Sequence, residues 1–178
     1  GMLDDADIAY NYGICLSELG RVEDALAPLE RCVVIDAAYT NAHVGLGVAC
    51  ARLGRNHDAE RALRRALQQE PANLHAARNL AGVLARAGKP AQALPYFRQA
   101  AVRTPDDADL QLGLAQCLEQ PGGEHAREAD ALYAEIMKRF PAHPAADAAT
   151  RARNRIANAQ LHAPVDGAAR MDAVFYMQ

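Results

Sequence analysis

The chain has 178 residues, enough to bury a substantial core as one domain or one continuous array. Hydrophobic residues make up 51% of it but aromatics only 5%, with no tryptophan, and alanine supplies much of the apolar share, a composition that favours closely packed helices. Lys and Arg total 19 against 22 Asp and Glu, and the resulting charge of -3 excludes a global field for nucleic acid or an anionic membrane.

Gly1 ahead of Met2 reads as the remnant of a cleaved tag, and Met2-Leu3-Asp4-Asp5 has neither the charged nor the apolar region of a secretory signal. No apolar run approaches the roughly 18 residues of a membrane span. The expectation is a cytoplasmic protein without a membrane segment.

Further along, glycines recur at Gly20, Gly54, Gly88 and Gly122, each 34 residues from the next. A fixed period of that size marks a solenoid. Small residues keep the same phase at Gly13, Gly47, Ala81 and Ala115, and again at Ala25, Ala59 and Ala93, where two helices must approach closely. Large apolar residues follow at Leu46, Leu80 and Leu114 and at Leu29, Leu63 and Phe97. Within a unit the apolar residues on either side of the glycine have helical spacing, as in Leu80, Val83 and Leu84 before Gly88 and Leu94, Phe97 and Ala101 after it. Glycine just past one helix suits a left-handed cap with positive φ, and Pro71 and Pro105 stop the second helix of two units. Each unit therefore reads as helix, tight turn, helix, and the units must stack because no single pair can cover its own apolar face.

The predicted units cover residues 6–39, 40–73, 74–107 and 108–143. Pro28 and Pro95 fall within second helices, which are expected to start late or bend. Gly122-Gly123-Glu124 reads as a lengthened turn in the fourth unit. Residues 144–162 offer one more helix, whose Arg151, Arg153, Asn154, Arg155 and Asn158 suit the outer surface of a terminal cap. A linker and an amphipathic tail follow over 163–178, where Met171, Val174, Phe175 and Gln178 have helical spacing. Docked on a neighbour and exchanged reciprocally, residues 168–178 would make a homodimer.

The pattern resembles the tetratricopeptide repeat, which runs L-G-x-x-Y, then A-x-x-x-F, then P within 34 residues. Leu46-Gly47-x-x-Cys50, Ala59-x-x-x-Leu63, Ala66 and Pro71 carry it in the second unit; Leu80-Ala81-x-x-Leu84, Ala93-x-x-x-Phe97, Ala100 and Pro105 carry it in the third. The first unit has Ala37 where proline is expected, and in the fourth Ala129, Tyr133 and Pro141 lie two residues late. No unit has the family's large aromatic at the first signature position, where Ala9, His43, Ala77 and Gln111 stand. The resemblance implies an all-α, right-handed α-solenoid of about four helix pairs plus a C-terminal capping helix.

Chemistry-bearing motifs are missing from the sequence. The six histidines include no His-Glu-x-x-His pair, and the four cysteines form no C-x-x-C, so neither a metal nor a cofactor is expected and the thiols are expected to be buried and free. Ser17, Thr40, Thr104 and Thr150 belong to no nucleophile motif, and Gly122-Gly123 is followed by Glu124-His125, not by the Lys-Ser/Thr of a phosphate loop. Arg61, Arg64 and Arg65 read as a solvated outer face, and without interleaved aromatics nucleic-acid binding is not expected. The expectation is a protein that is not an enzyme.

In the family the first helix of each pair lines a concave groove, with positions 2, 5, 6, 9, 12 and 13 facing inward. Carried over, the resemblance implies a peptide-binding groove of Asn11 and Ile14 from the first unit and Asn41, Val44, Val48 and Arg52 from the second. His75, Arg78, Asn79 and Arg86 join from the third, Leu112 and Gln116 from the fourth. An apolar floor beside Arg78 and Arg86 would suit a segment with apolar side chains and a carboxylate. Asn11 and Asn79 share a repeat position from which amides can grip a ligand backbone, but Gly45 and Gly113 interrupt that ladder. Tyr10 and Ile14 stand where some relatives place the Lys and Asn that clamp acidic chaperone tails, so that specificity is not expected. The implied function is an interaction scaffold that binds a peptide or helix of a protein partner; the alternative is the repeat arm of a larger enzyme, such as a glycosyltransferase or methyltransferase.

Overall fold

The computed structural model describes residues 4–119 and 125–161. Among them are nine helices and no strand: α1 (Ala6–Glu18), α2 (Val22–Ile35), α3 (Thr40–Arg52), α4 (Asn56–Gln69), α5 (Leu74–Arg86), α6 (Pro90–Arg103), α7 (Ala108–Leu118), α8 (Ala126–Arg139) and α9 (Pro144–Leu161). The turn at Gly122 and the tail over 163–178, with its proposed exchange, lie outside the described residues.

Local chemistry sets the ends of these helices. Gly20, Gly54 and Gly88 have φ of 80°, 74° and 71°, the left-handed region that glycine enters without a Cβ penalty. In each turn the amide three residues past the helix reaches back five residues, from Arg21 to Leu16, Arg55 to Cys50 and Lys89 to Leu84, all at 2.9 Å. That 6→1 bond satisfies a carbonyl the helix leaves open. Asp5, Asn73 and Asp107 cap the starts of α1, α5 and α7 by accepting amide hydrogens at Ile8, Ala76 and Leu110.

The prolines do not delay their helices. α2, α4 and α6 begin at Val22, Asn56 and Pro90, in strict 34-residue phase, and α2 and α6 run through Pro28 and Pro95. Each ring removes one intrahelical bond, but the carbonyls it deprives belong to the exposed residues Asp24 and Ala91, which water can satisfy.

α1, α3, α5, α7 and α9 form an inner row in which each helix touches the next, whereas α2, α4, α6 and α8 each pack on their own partner and on the inner helix that follows. The fold is an all-α solenoid of helix pairs. Its core runs the length of the array through Leu29, Leu63, Leu80, Leu84, Leu118 and Tyr133, all essentially without exposure. Close approach within a pair depends on the small residues. A Cβ at Gly13 would stand 2.6 Å from Leu29 Cγ, and one at Gly47 only 2.5 Å from Leu63 Cγ.

Candidate functional site

The inner row positions every side chain expected to line a groove. Asn11 and Ile14 lie on α1, Asn41, Val44, Val48 and Arg52 on α3, His75, Arg78, Asn79 and Arg86 on α5, and Leu112 and Gln116 on α7. None of the twelve is buried. Ile14, Val44, Val48, Asn79 and Leu112 are half-buried and the others exposed.

The apolar members join neighbouring repeats. Ile14, Val44 and Leu112 all pack against the core, and Ile14 Cδ1 comes within 3.3 Å of where a Cβ would sit at Gly45. The polar members have internal partners that the sequence reading did not foresee. Arg52 donates to the carbonyl oxygen and Oγ of Ser17 at 3.0 and 3.2 Å, tying α3 to α1. Arg78 forms an ion pair with Asp107, the residue that caps α7. Asn79 donates through Nδ2 to the His75 carbonyl at 2.8 Å, along its own helix. Arg78 and Arg86 are two turns apart on α5, about 12 Å along the axis, so one carboxylate cannot take both head-on. Asp107 was not foreseen as an ion-pair partner, because the 34-residue period does not reveal contacts between repeats.

A further residue belongs to this face. Position nine of the units holds Ile14, Val48, Gly82 and Gln116, so Gly82 removes the side chain from the third place in that row. A Cβ there would meet only Arg86 Nη1, at 3.4 Å. Gly45 and Gly113 differ, because their missing side chains leave room for Leu29 and Phe97 at 3.2 and 2.6 Å. Those two glycines serve packing between helices, while Gly82 opens a notch in the accessible face with Arg86 alongside and Arg78 one turn earlier.

Elsewhere the chemistry is quiet. Among the described residues no group of three or more His, Cys, Asp or Glu is placed to hold a metal ion. Burial pushes the Cys32 and Cys50 thiols up and carries Cys117 to about 11, so all three are protonated at neutral pH. Cys15 departs from the expectation of buried thiols and is exposed.

The family model for the tetratricopeptide repeat matches residues 44–103 and again 83–144, together more than half of the chain. The chain belongs to the tetratricopeptide repeat family. Among solved structures, this tetratricopeptide repeat protein is similar to YrrB, described as "a TPR protein with an unusual peptide-binding site", at 25% identity and a TM-score of 0.73, over 79% of this chain and 71% of that one. It is also similar to PilW, a type IV pilus biogenesis factor, at 26% identity and a TM-score of 0.67, over 80% and 66% of the two chains. MamA from Desulfovibrio magneticus shares the fold at 17% identity and a TM-score of 0.72, over 92% of this chain and 99% of that one. No curated protein sequence matches the chain. No helix among the described residues is long and apolar enough to cross a membrane.

Proposed function

We propose that this chain is a protein-interaction scaffold whose inner row binds a peptide or helical segment of a partner carrying apolar side chains and at least one carboxylate. The observation that carries the reading is the notch at Gly82. It lies on α5, which touches the α3 and α7 that carry the half-buried Val48 and Leu112, and beside the guanidinium of Arg86, so a ligand backbone or apolar side chain can come close while a carboxylate meets a cation. The similarity to YrrB supports the reading, since the description of that protein reports peptide binding.

The test is a selection of displayed random 12-residue peptides against the whole chain, followed by affinity measurements on the winners. Peptides containing Asp or Glu among apolar residues are expected, with affinity falling at least about tenfold, ~1.4 kcal/mol, in Gly82→Leu and in Arg86→Glu. Gly82 is half-buried and Arg86 exposed, and neither substitution removes a core contact, so neither variant should have a much lower thermal midpoint than the parent. Selected peptides that bind both variants as tightly as the parent would refute the groove.

A further inference from the structure

The gaps between successive outer helices differ in what fills them. Under the gap between α2 and α4 lie Leu46 and Cys50 of α3, at positions seven and eleven of their unit. The same positions hold Leu80 and Leu84 on α5 and Leu114 and Leu118 on α7. The later outer helix of each gap adds Ala62, Tyr96 or Leu132, each packed against the core. Two short side chains therefore coincide in the first gap, Cys50 where the others have leucine and Ala62 where they have tyrosine and leucine. They leave a cleft of about 430 Å³ that reaches down to Leu46 and Cys50, and Cys50 keeps 7% of its surface accessible. Beside Tyr96 the cleft between α4 and α6 is about 310 Å³, is lined by neither Leu80 nor Leu84, and leaves both without exposure.

Polar bridges cross the gap between α2 and α4 at both ends. An ion pair of Arg55 with Glu23 joins the starts of the two helices. At their far ends Gln69 donates to the Ala37 carbonyl, which also receives His43 Nε2 at 3.1 Å. A peptide running lengthwise through the gap would have to break these bridges, whereas a molecule no longer than the cleft fits between them. Around the mouth stand Arg55, Arg61 and Arg65 against Glu30 and Asp58, three guanidinium groups to two carboxylates. Arg55 and Arg61 are held by Glu23 and Asp58, while the partner of Arg65 is neutral, the Gln68 amide oxygen at 3.4 Å.

We infer that the cleft between α2 and α4 is a binding site for a small aromatic carboxylate, its ring on Leu46, Cys50 and Ala62 and its anionic end on Arg65. The neighbouring gap supplies the ligand's chemistry. There Tyr96 stands in the place of Ala62, and its hydroxyl accepts a hydrogen from Arg64 Nη1 at 3.3 Å, an aryl ring whose polar end meets a guanidinium. A free ring with a carboxylate repeats that arrangement with a stronger acceptor. Val33 adds an apolar wall from α2, and a concave site of several hundred Å³ with an apolar floor and a few polar groups is the common form of a small-molecule pocket. Glu30, on the same wall, opposes the anion and weakens its binding. The site is separate from the Gly82 notch, which lies on α5.

The probe is para-phenylbenzoate, titrated calorimetrically into the whole chain at low salt. Binding with Kd below about 1 mM is expected, and para-phenylbenzylammonium, the same rings with a cation, should bind at least about tenfold more weakly. Cys50→Leu and Ala62→Tyr each give this gap a side chain that the next one already holds. Both should weaken the benzoate at least about tenfold, with thermal midpoints no lower than the parent's, since they fill space. Arg65→Gln, at an exposed position, should weaken it by a similar factor, whereas Glu30→Gln should tighten it and Gly82→Leu should leave it unchanged. No binding at about 1 mM overturns the inference, as does equal affinity for the benzoate and the ammonium. Undiminished binding to Ala62→Tyr overturns it too; should that variant misfold, undiminished binding to Arg65→Gln does the same.

Discussion

Tyr133 donates its hydroxyl hydrogen to Glu119 at 2.6 Å, and the same carboxylate receives Arg155 at 3.2 Å, so one side chain at the end of α7 holds both α8 and α9. Tyr133 is fully buried, and burial together with this bond to a carboxylate drives its pKa upward. Tyr133→Phe keeps the ring and deletes a bond to a charged acceptor, which costs about 2 kcal/mol. The thermal midpoint should fall by roughly 4–8 °C. A fall of less than about 1 °C would mean that Arg155 alone satisfies the carboxylate.

Two glycines of the inner row should respond in opposite directions to the same change. Gly47→Ala places a Cβ 2.5 Å from Leu63 Cγ and 2.8 Å from Cδ2, and Leu63 is fully buried with nowhere to move. Overpacking of this kind costs about 1–3 kcal/mol. Gly82→Ala meets only the mobile end of Arg86 and gains the helix preference of alanine, about 1 kcal/mol. Denaturant midpoints of the two variants should straddle that of the parent; both moving the same way would contradict the packing described here.

How much of this was legible in the sequence follows from which contacts a period can reveal. The caps at Gly20, Gly54 and Gly88 were readable because a left-handed turn needs glycine wherever it occurs, and all three have positive φ. The separate roles of Gly45, Gly82 and Gly113 were not, because each depends on whether Leu29, Phe97 or no large residue arrives from a neighbouring helix. Position-by-position transfer put the twelve residues expected to line a groove on the inner helices but was blind to Ser17 and Asp107, which bind Arg52 and Arg78 across the boundary between units. The expected late starts of α2 and α6 failed because a helix tolerates a proline whose orphaned carbonyl can reach water.

Acid should loosen the junction between α4 and α6. Glu60 accepts hydrogen bonds from Lys89 Nζ and Arg64 Nε, both at 3.0 Å, and the bond to Lys89 above all holds its carboxyl below the ordinary 4.5 of a glutamate. A carboxyl depressed in the folded state contributes stability that is complete above the unfolded value and is lost as pH falls through the folded one. Denaturant midpoints should therefore decline as pH is lowered beneath 4.5, and Glu60→Gln should be less stable at pH 7 and show a shallower decline. Parallel curves for parent and variant would show that Glu60 has no part in the acid response.

An apolar stripe on the exposed face of α9 should draw copies of the chain together. Asp147→Leu, Arg151→Leu and Asn154→Leu introduced together would turn its exposed positions into an apolar stripe like those buried between helices elsewhere. Light scattering after gel filtration should then find species heavier than the parent at the same concentration. An unchanged mass at every concentration would show that the polarity of this face does not govern self-association.

The outer helices α2, α4, α6 and α8 do not pack closely on one another and meet through long polar side chains, Arg64 with Gln92 and Tyr96 and Arg98 with Glu128, so the close packing between neighbouring repeats lies along one side, through the inner row and the helix that leans on it. Such a column is hinged like vertebrae. Small rotations that spread the outer helices stretch only such accessible polar bridges, while each pair keeps its own core intact. Curvature is therefore the compliant coordinate of the molecule, and the spacing along the inner row can change with it. The side chains that bridge successive inner helices, Arg52 to Ser17 and Arg78 to Asp107, act as the stops on that bending.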